Sequence, residues 1–136
     1  MSYPAVVLNK FGKGKAVYVA GDLENMEFHR EIFLNLIKTL PKKPFFIESD
    51  APPPVEITVF HQEKKRRYVI NLLNFPNELP AVPFEKIKVR MNLGGKSARR
   101  LLKLSEETEL PYKKKEGVVD FSAPRLKTFL MLALDY

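Results

Sequence analysis

Few side chains in this sequence of 136 residues carry reactive chemistry. It has no cysteine, which removes a thiolate nucleophile, a disulfide framework and any cysteine-held zinc. Histidine occurs twice, as His29 and His61. Neither has a second histidine at the spacing that places two imidazoles on one face, so a metal site is not expected. Both read as half-exposed polar positions. The serines are Ser2, Ser49, Ser97, Ser105 and Ser122, and none lies in the Gly-x-Ser-x-Gly elbow that presents a nucleophile. Carboxylates are numerous, but no pair sits in apolar surroundings that would push two pKa values apart for acid/base work. Glu106, Glu107 and Glu109 read as a solvated turn.

Two glycine-containing stretches resemble phosphate loops and fail on inspection. Gly12-Lys13-Gly14 is followed by a strand-like run, whereas phosphate binding needs a helix whose free amides face the anion. Gly95-Lys96-Ser97 matches the end of a P-loop, but Arg90 stands where the first glycine belongs. No catalytic residue, cofactor-binding residue or metal ligand is therefore assigned, and no cofactor is implied. The chain is expected not to be an enzyme in its own right.

Charge offers a different chemistry. The chain carries +7, of which residues 1–50 hold +1 and residues 51–136 hold +6. The basic residues concentrate in Lys64, Lys65, Arg66 and Arg67 and in Lys113, Lys114 and Lys115, beside Tyr68 and Tyr112. A polyanion site would use such cations together with stacking aromatics. Both runs fall where hairpin turns are expected, and charged turns commonly keep sheets soluble. The solvated reading comes first, and contact with a polyanion such as nucleic acid second.

The elements that must position these groups follow from periodicity. Ala5–Leu8 and Ala16–Ala20 flank a Gly-containing polar turn and read as a hairpin. Residues 27–40 read as a helix. Phe28, Ile32, Leu36 and Leu40 recur every four residues, and Phe33 and Ile37 widen the stripe. Asn25 is the N-cap candidate, and Pro41 ends the helix. Residues 41–54 hold five prolines and read as a hinge, with Phe45–Ile47 as a short strand within it and Ala51–Pro54 as the boundary.

From Val55 the period becomes two. Val55, Ile57 and Val59 alternate with polar residues; so do Ile87, Val89, Met91 and Leu93. Further runs cover Arg67–Phe75, Ala98–Leu104, Leu110–Lys113, Val118–Phe121 and Leu126–Leu134. About seven strands separated by turn signals indicate an antiparallel sandwich. The expected fold is mainly β (α+β): an immunoglobulin-like β-sandwich over residues 51–136, preceded by a β-hairpin and one α-helix over residues 1–50.

A lone hairpin and helix cannot bury two apolar faces against each other. The face formed by Phe28, Ile32, Phe33, Leu36 and Ile37 is thus a candidate packing or assembly surface. It requires the sandwich, a second copy of the chain, or a larger domain.

These residues also resemble a known arrangement. Leu8-Asn9-Lys10-Phe11-Gly12-Lys13-Gly14-Lys15-Ala16-Val17-Tyr18-Val19-Ala20 is similar to the closing hairpin of the glutamine-amidotransferase-like, trimerisation-type domain of multidomain glycoside hydrolases of the β-galactosidase and α-L-fucosidase-like group. Ala51-Pro52 with Val55–Val59 resembles the strand opening their C-terminal β-domain. Val69–Phe75, Val82-Pro83 with Ile87–Met91, and Phe121–Leu126 resemble later segments in the same order. The resemblance implies the C-terminal region of such an enzyme, either as a fragment or as a separate small open reading frame. Their catalytic barrel has no counterpart here, so no catalytic residue carries over.

The leading expectation is a non-catalytic accessory module of a carbohydrate-active enzyme, serving assembly or stability, with self-association or a larger glycosidase chain as partner. A carbohydrate-binding module is the second reading. It has no tryptophan to stack sugars and must rely on Tyr18, Tyr68, Tyr112 and Tyr136. A basic polyanion-binding protein is the third. No apolar run approaches the ~18 residues of a membrane span. Met1-Ser2-Tyr3-Pro4 does not read as the start of a signal peptide, and a cytoplasmic location is expected.

Overall fold

The computed structural model describes residues 4–21, 29–76 and 80–136. The chain divides into two compact units, residues 1–44 and 45–136.

The first unit is a hairpin and a helix. Strands β1 (Val6–Phe11) and β2 (Gly14–Val19) pair antiparallel, with Phe11 opposite Gly14. The turn is tighter than the sequence suggests, because Asn9–Phe11 and Gly14–Lys15 join the ladder. Gly12 at φ +57° supplies the left-handed residue that so short a connection needs. Helix α1 spans Arg30–Thr39, so the helix expected over 27–40 is present from Arg30. Asn25, Glu27 and Phe28 lie outside the described residues. Its C-terminal end is tied down twice. Thr39 Oγ1 donates to the Leu36 carbonyl at 2.7 Å, and Lys15 Nζ donates to the Thr39 carbonyl at 2.8 Å. A cation there meets the negative end of the helix dipole.

The second unit contains two antiparallel sheets. One has the order β3 (Ile47–Ser49), β6 (Lys88–Asn92), β10 (Val118–Ser122), β9 (Tyr112–Lys115). The other has β4 (Val55–Gln62), β5 (Arg67–Asn74), β11 (Phe129–Asp135), β7 (Arg100–Lys103), β8 (Thr108–Leu110). This is the mainly β, antiparallel sandwich expected from the alternating pattern. Ile87, Val89, Met91 and Leu93 are all buried, while Lys88 and Arg90 point outward. They meet Ile70, Leu72, Leu101, Leu132 and Leu134 in one core.

Several expected boundaries move for identifiable reasons. The run expected as one strand over Leu110–Lys113 is two strands that join different sheets. Pro111 lies between them, lacking the amide that would continue a ladder, and the chain crosses sheets there. The hairpin turn expected at the Lys113–Lys115 run is confined to Glu116 and Gly117, at φ +51° and +78°. Lys114 and Lys115 are therefore strand residues. The run over Ala98–Leu104 becomes a strand only at Arg100. Ile47, read as part of the hinge, pairs with Met91 inside the sandwich. Asn74 is buried, and its amide nitrogen donates to the carbonyls of Val82 at 2.9 Å and Lys127 at 2.8 Å, fastening two loops to β5.

Candidate functional site

A polar arrangement forms where the end of β4, the start of β5, the Gly94–Lys96 turn and Tyr136 converge. Pairing of β4 with β5 sets His61 opposite Tyr68, and β5 pairing with β11 sets Tyr68 opposite Leu134, next to the chain's end. The amide of Tyr136 donates to the Arg66 carbonyl at 3.0 Å, which fixes the terminal ring. Gly94 and Gly95, at φ +60° and +91°, carry Lys96 back over these rings.

The contacts are close. Lys96 Nζ donates to the Tyr68 hydroxyl at 2.9 Å and lies 4.3 Å from the centre of the Tyr136 ring. The His61 ring stacks on Tyr68 with centroids 4.6 Å apart, and Phe46 tilts against Tyr68 from another side at 5.1 Å. His61 Nε2 lies 2.6 Å from the Tyr136 hydroxyl and 3.4 Å from Lys96 Nζ. The Lys96 ammonium is held above its ordinary pKa, first by its hydrogen bond to Tyr68, against the smaller effect of desolvation.

This arrangement satisfies its own polar groups. Tyr68 and Tyr136 are only 6% and 9% exposed, so their ring faces are closed to a sugar. That corrects the expectation that they could serve as stacking residues. Tyr18 is exposed on the hairpin, and Tyr112 is half-buried with its hydroxyl donating to the Ala98 carbonyl at 3.3 Å. The cluster acts as a polar clasp on one end of the sandwich. No carboxylate takes part in it, and among the described residues no group of three or more metal-ligating side chains assembles.

A second polar constellation lies on the outer face of the five-stranded sheet. Cross-strand register places Arg67, Asp135 and Arg100 in one row. Arg100 Nε donates to Asp135 Oδ2 at 2.6 Å; Arg67 Nη2 donates to the same oxygen at 3.4 Å, and its Nε lies 2.9 Å from Oδ1 in an ion pair. Arg67 is therefore a half-buried ion-pair partner, not the solvated turn residue that its neighbours suggest. Asp135 raises the Arg100 pKa, chiefly through that hydrogen bond.

The remaining basic residues separate. Lys64 and Lys65 sit in a single 3-10 turn, and Arg66 follows at φ +52°. Lys113–Lys115 lie on β9, the edge of the other sheet. Lys114 is exposed on this edge opposite Val119, and its Nζ donates to the Ala98 carbonyl at 3.2 Å. Lys96, Lys114 and Lys115 border a depression of about 310 Å³ with Ser97 and the Glu116–Gly117 turn. The sequence gives no signal for this grouping, since Lys96 and Lys114 are brought together only by the sandwich. On α1, Ile32 is 49% exposed, while Phe33, Leu36 and Ile37 are half-buried.

No known family model matches the chain, and no curated protein does. The fold is that of an antiparallel β-rich chain led by a hairpin–helix unit. Among solved structures it is similar to alpha-L-fucosidase isoenzyme 2 from Paenibacillus thiaminolyticus, with a TM-score of 0.80 and 21% identity. The match covers 98% of this chain and 22% of that one. At this identity the likeness is one of fold, and the chain spans under a quarter of the protein it matches. Among the described residues no helix is long and apolar enough to cross a membrane.

Proposed function

We propose that this chain is a non-catalytic accessory module of a carbohydrate-active enzyme, serving assembly or stability. The observation that carries the reading is the likeness, over 98% of this chain, to a segment making up 22% of an α-L-fucosidase. Two features of the chain support it. Its clustered polar groups are engaged in clasping the sandwich. Its hairpin–helix unit, by contrast, leaves Val7, Leu8, Phe11, Ile32 and Leu34 exposed, as a segment does when its cover belongs to a larger body. Purified chain should not hydrolyse aryl α-L-fucosides or β-galactosides. Turnover above the uncatalysed rate, abolished by no contaminant control, overturns the non-catalytic reading. Calorimetric titration with mono- and oligosaccharides should likewise be blank; saturable heat favours a carbohydrate-binding module instead.

The lysines around the 310 Å³ depression favour polyanion contact as the second reading. Binding to heparin or single-stranded DNA should then weaken steeply as salt rises. A flat salt response removes it.

A further inference from the structure

Among the described residues, four strands lie at the edges of the second unit's two sheets, and three of them are protected. β3 and β8 are three residues long, and β9 carries Lys113–Lys115. Short edges and lysines discourage a further strand from pairing. β4 is the exception: it runs for eight residues, Val55–Gln62, without a lysine or proline. Among the described residues it has one neighbour, β5.

The backbone groups on its open side can be identified. The Phe75 amide donates to the Pro54 carbonyl at 2.8 Å, and these residues continue the β4–β5 register. In an antiparallel ladder bonded pairs alternate with non-bonded ones. Glu56, Thr58, Phe60 and Gln62 therefore bond to β5. Ile57, Val59 and His61 direct their amides and carbonyls outward. The Val55 amide, on the same side, turns to the Pro52 carbonyl at 2.9 Å, consistent with this assignment.

We propose that β4 is a homotypic interface, pairing antiparallel with β4 of a second copy of this chain about a two-fold axis at Val59. This register bonds Val59 to Val59 and Ile57 to His61 of the other copy, a ladder of about six N–H···O bonds that uses the outward groups. It is also self-complementary in its side chains. On the outer face Thr58 meets Phe60 of the second copy, so a ring that is 61% exposed covers a neighbour. Glu56 meets Gln62 and points toward Lys64 of the second copy, placing opposite charges together and like charges apart. A single strand pair buries less than a standard interface of about 1,600 Å², so the dimer forms in a concentration-dependent way. The inference rests on the edge geometry and not on the accessory-module reading.

The test uses sedimentation equilibrium of the full chain. Wild type should rise from its monomer mass of 15.7 kDa toward twice that value as concentration increases. The Thr58→Lys/Phe60→Lys variant should stay monomeric with an unchanged circular dichroism spectrum, because both positions are exposed. Mixing it with Thr58→Glu/Phe60→Glu should restore the dimer. Register is read by cross-linking, which is clean in a chain without cysteine. Residues facing each other across a non-bonded pair bring their Cβ atoms to about 5 Å. Thr58→Cys mixed with Phe60→Cys should therefore form covalent dimer faster than either alone. A wild type that stays monomeric at every concentration overturns the proposal. So does a lysine variant that associates like wild type, which would assign association to another surface such as α1.

Discussion

The two units contrast in what their apolar residues achieve. Every buried hydrophobic side chain among the described residues lies between Tyr68 and Tyr136. The hairpin–helix unit has regular backbone, a six-residue antiparallel register and a ten-residue helix, yet none of its described side chains is buried. Both units have the periodicity that marks secondary structure. Within itself, only the second unit closes two apolar surfaces on each other, and closure stabilises a fold by roughly 1.5–3 kcal/mol for each large apolar side chain removed from water. Pattern specifies which face an element presents; burial requires a partner for that face.

The largest test of this contrast separates the units. Residues 45–136 expressed alone should keep a cooperative urea transition, whereas residues 1–44 alone should show none, since a hairpin and a three-turn helix are marginal in water. A cooperative transition in the short fragment would break the comparison. Within the full chain, Leu132→Ala should lower stability by about 2–5 kcal/mol, because the side chain is fully buried and leaves a cavity. Leu34→Ala should cost under about 0.5 kcal/mol. Equal shifts in urea midpoint would show that the first unit is better packed than its exposure indicates.

The glycine turns sharpen the comparison at smaller magnitude. Gly117 needs φ +78°, and a Cβ there would come 3.2 Å from the Gly95 amide nitrogen. Gly12 needs φ +57° but has open space around it. Alanine at either position meets the left-handed penalty of about 1–2 kcal/mol. The Gly117→Ala loss should be the larger, because the turn carrying Gly95 must also give way. Thermal unfolding of the two variants measures the difference.

How far the sequence discloses this molecule follows the same division. Alternation from Ile87 to Leu93 is legible because each inward side chain has a period-two partner and a sheet to face; all four are buried. The crossing at Pro111 is not, since apolar residues on either side read as one strand until the pairing partners are known. The polar clasp is the least legible feature. His61 and Tyr136 are 75 positions apart, and Lys96 and Tyr68 are 28 apart. Each alone is an ordinary polar position, and tertiary pairing turns them into one network. Arg67 shows the converse: its basic neighbours hide it, and only Asp135, 68 residues away, distinguishes it.

Breaking that ion row should cost less than a core cavity and can exceed a glycine change. Asp135→Asn leaves Arg67 half-buried without its counter-charge, for an expected loss of about 1–3 kcal/mol. A loss below about 0.5 kcal/mol in urea unfolding would place Arg67 in effective contact with water.

The smallest expected effect concerns the clasp. The folded pKa of Lys96 lies above its unfolded value of about 10.4, so the protonated amine contributes stability that is fully present below that pH. The contribution is lost as pH rises through the folded value. Tyr68, Tyr136 and His61 face the same amine. Comparison with Lys96→Met reads the linked part. Wild type should be the more stable at pH 8 and 9, and the gap should narrow above about pH 10.4. Lys96→Arg, which keeps its charge throughout, should retain whatever advantage it has across the series. A gap between wild type and Lys96→Met that is constant from pH 8 to 11 would mean that the lysine stem, packed over Tyr136, matters and its charge does not. The clasp would then hold the end of the sandwich by the same apolar closure that the first unit lacks.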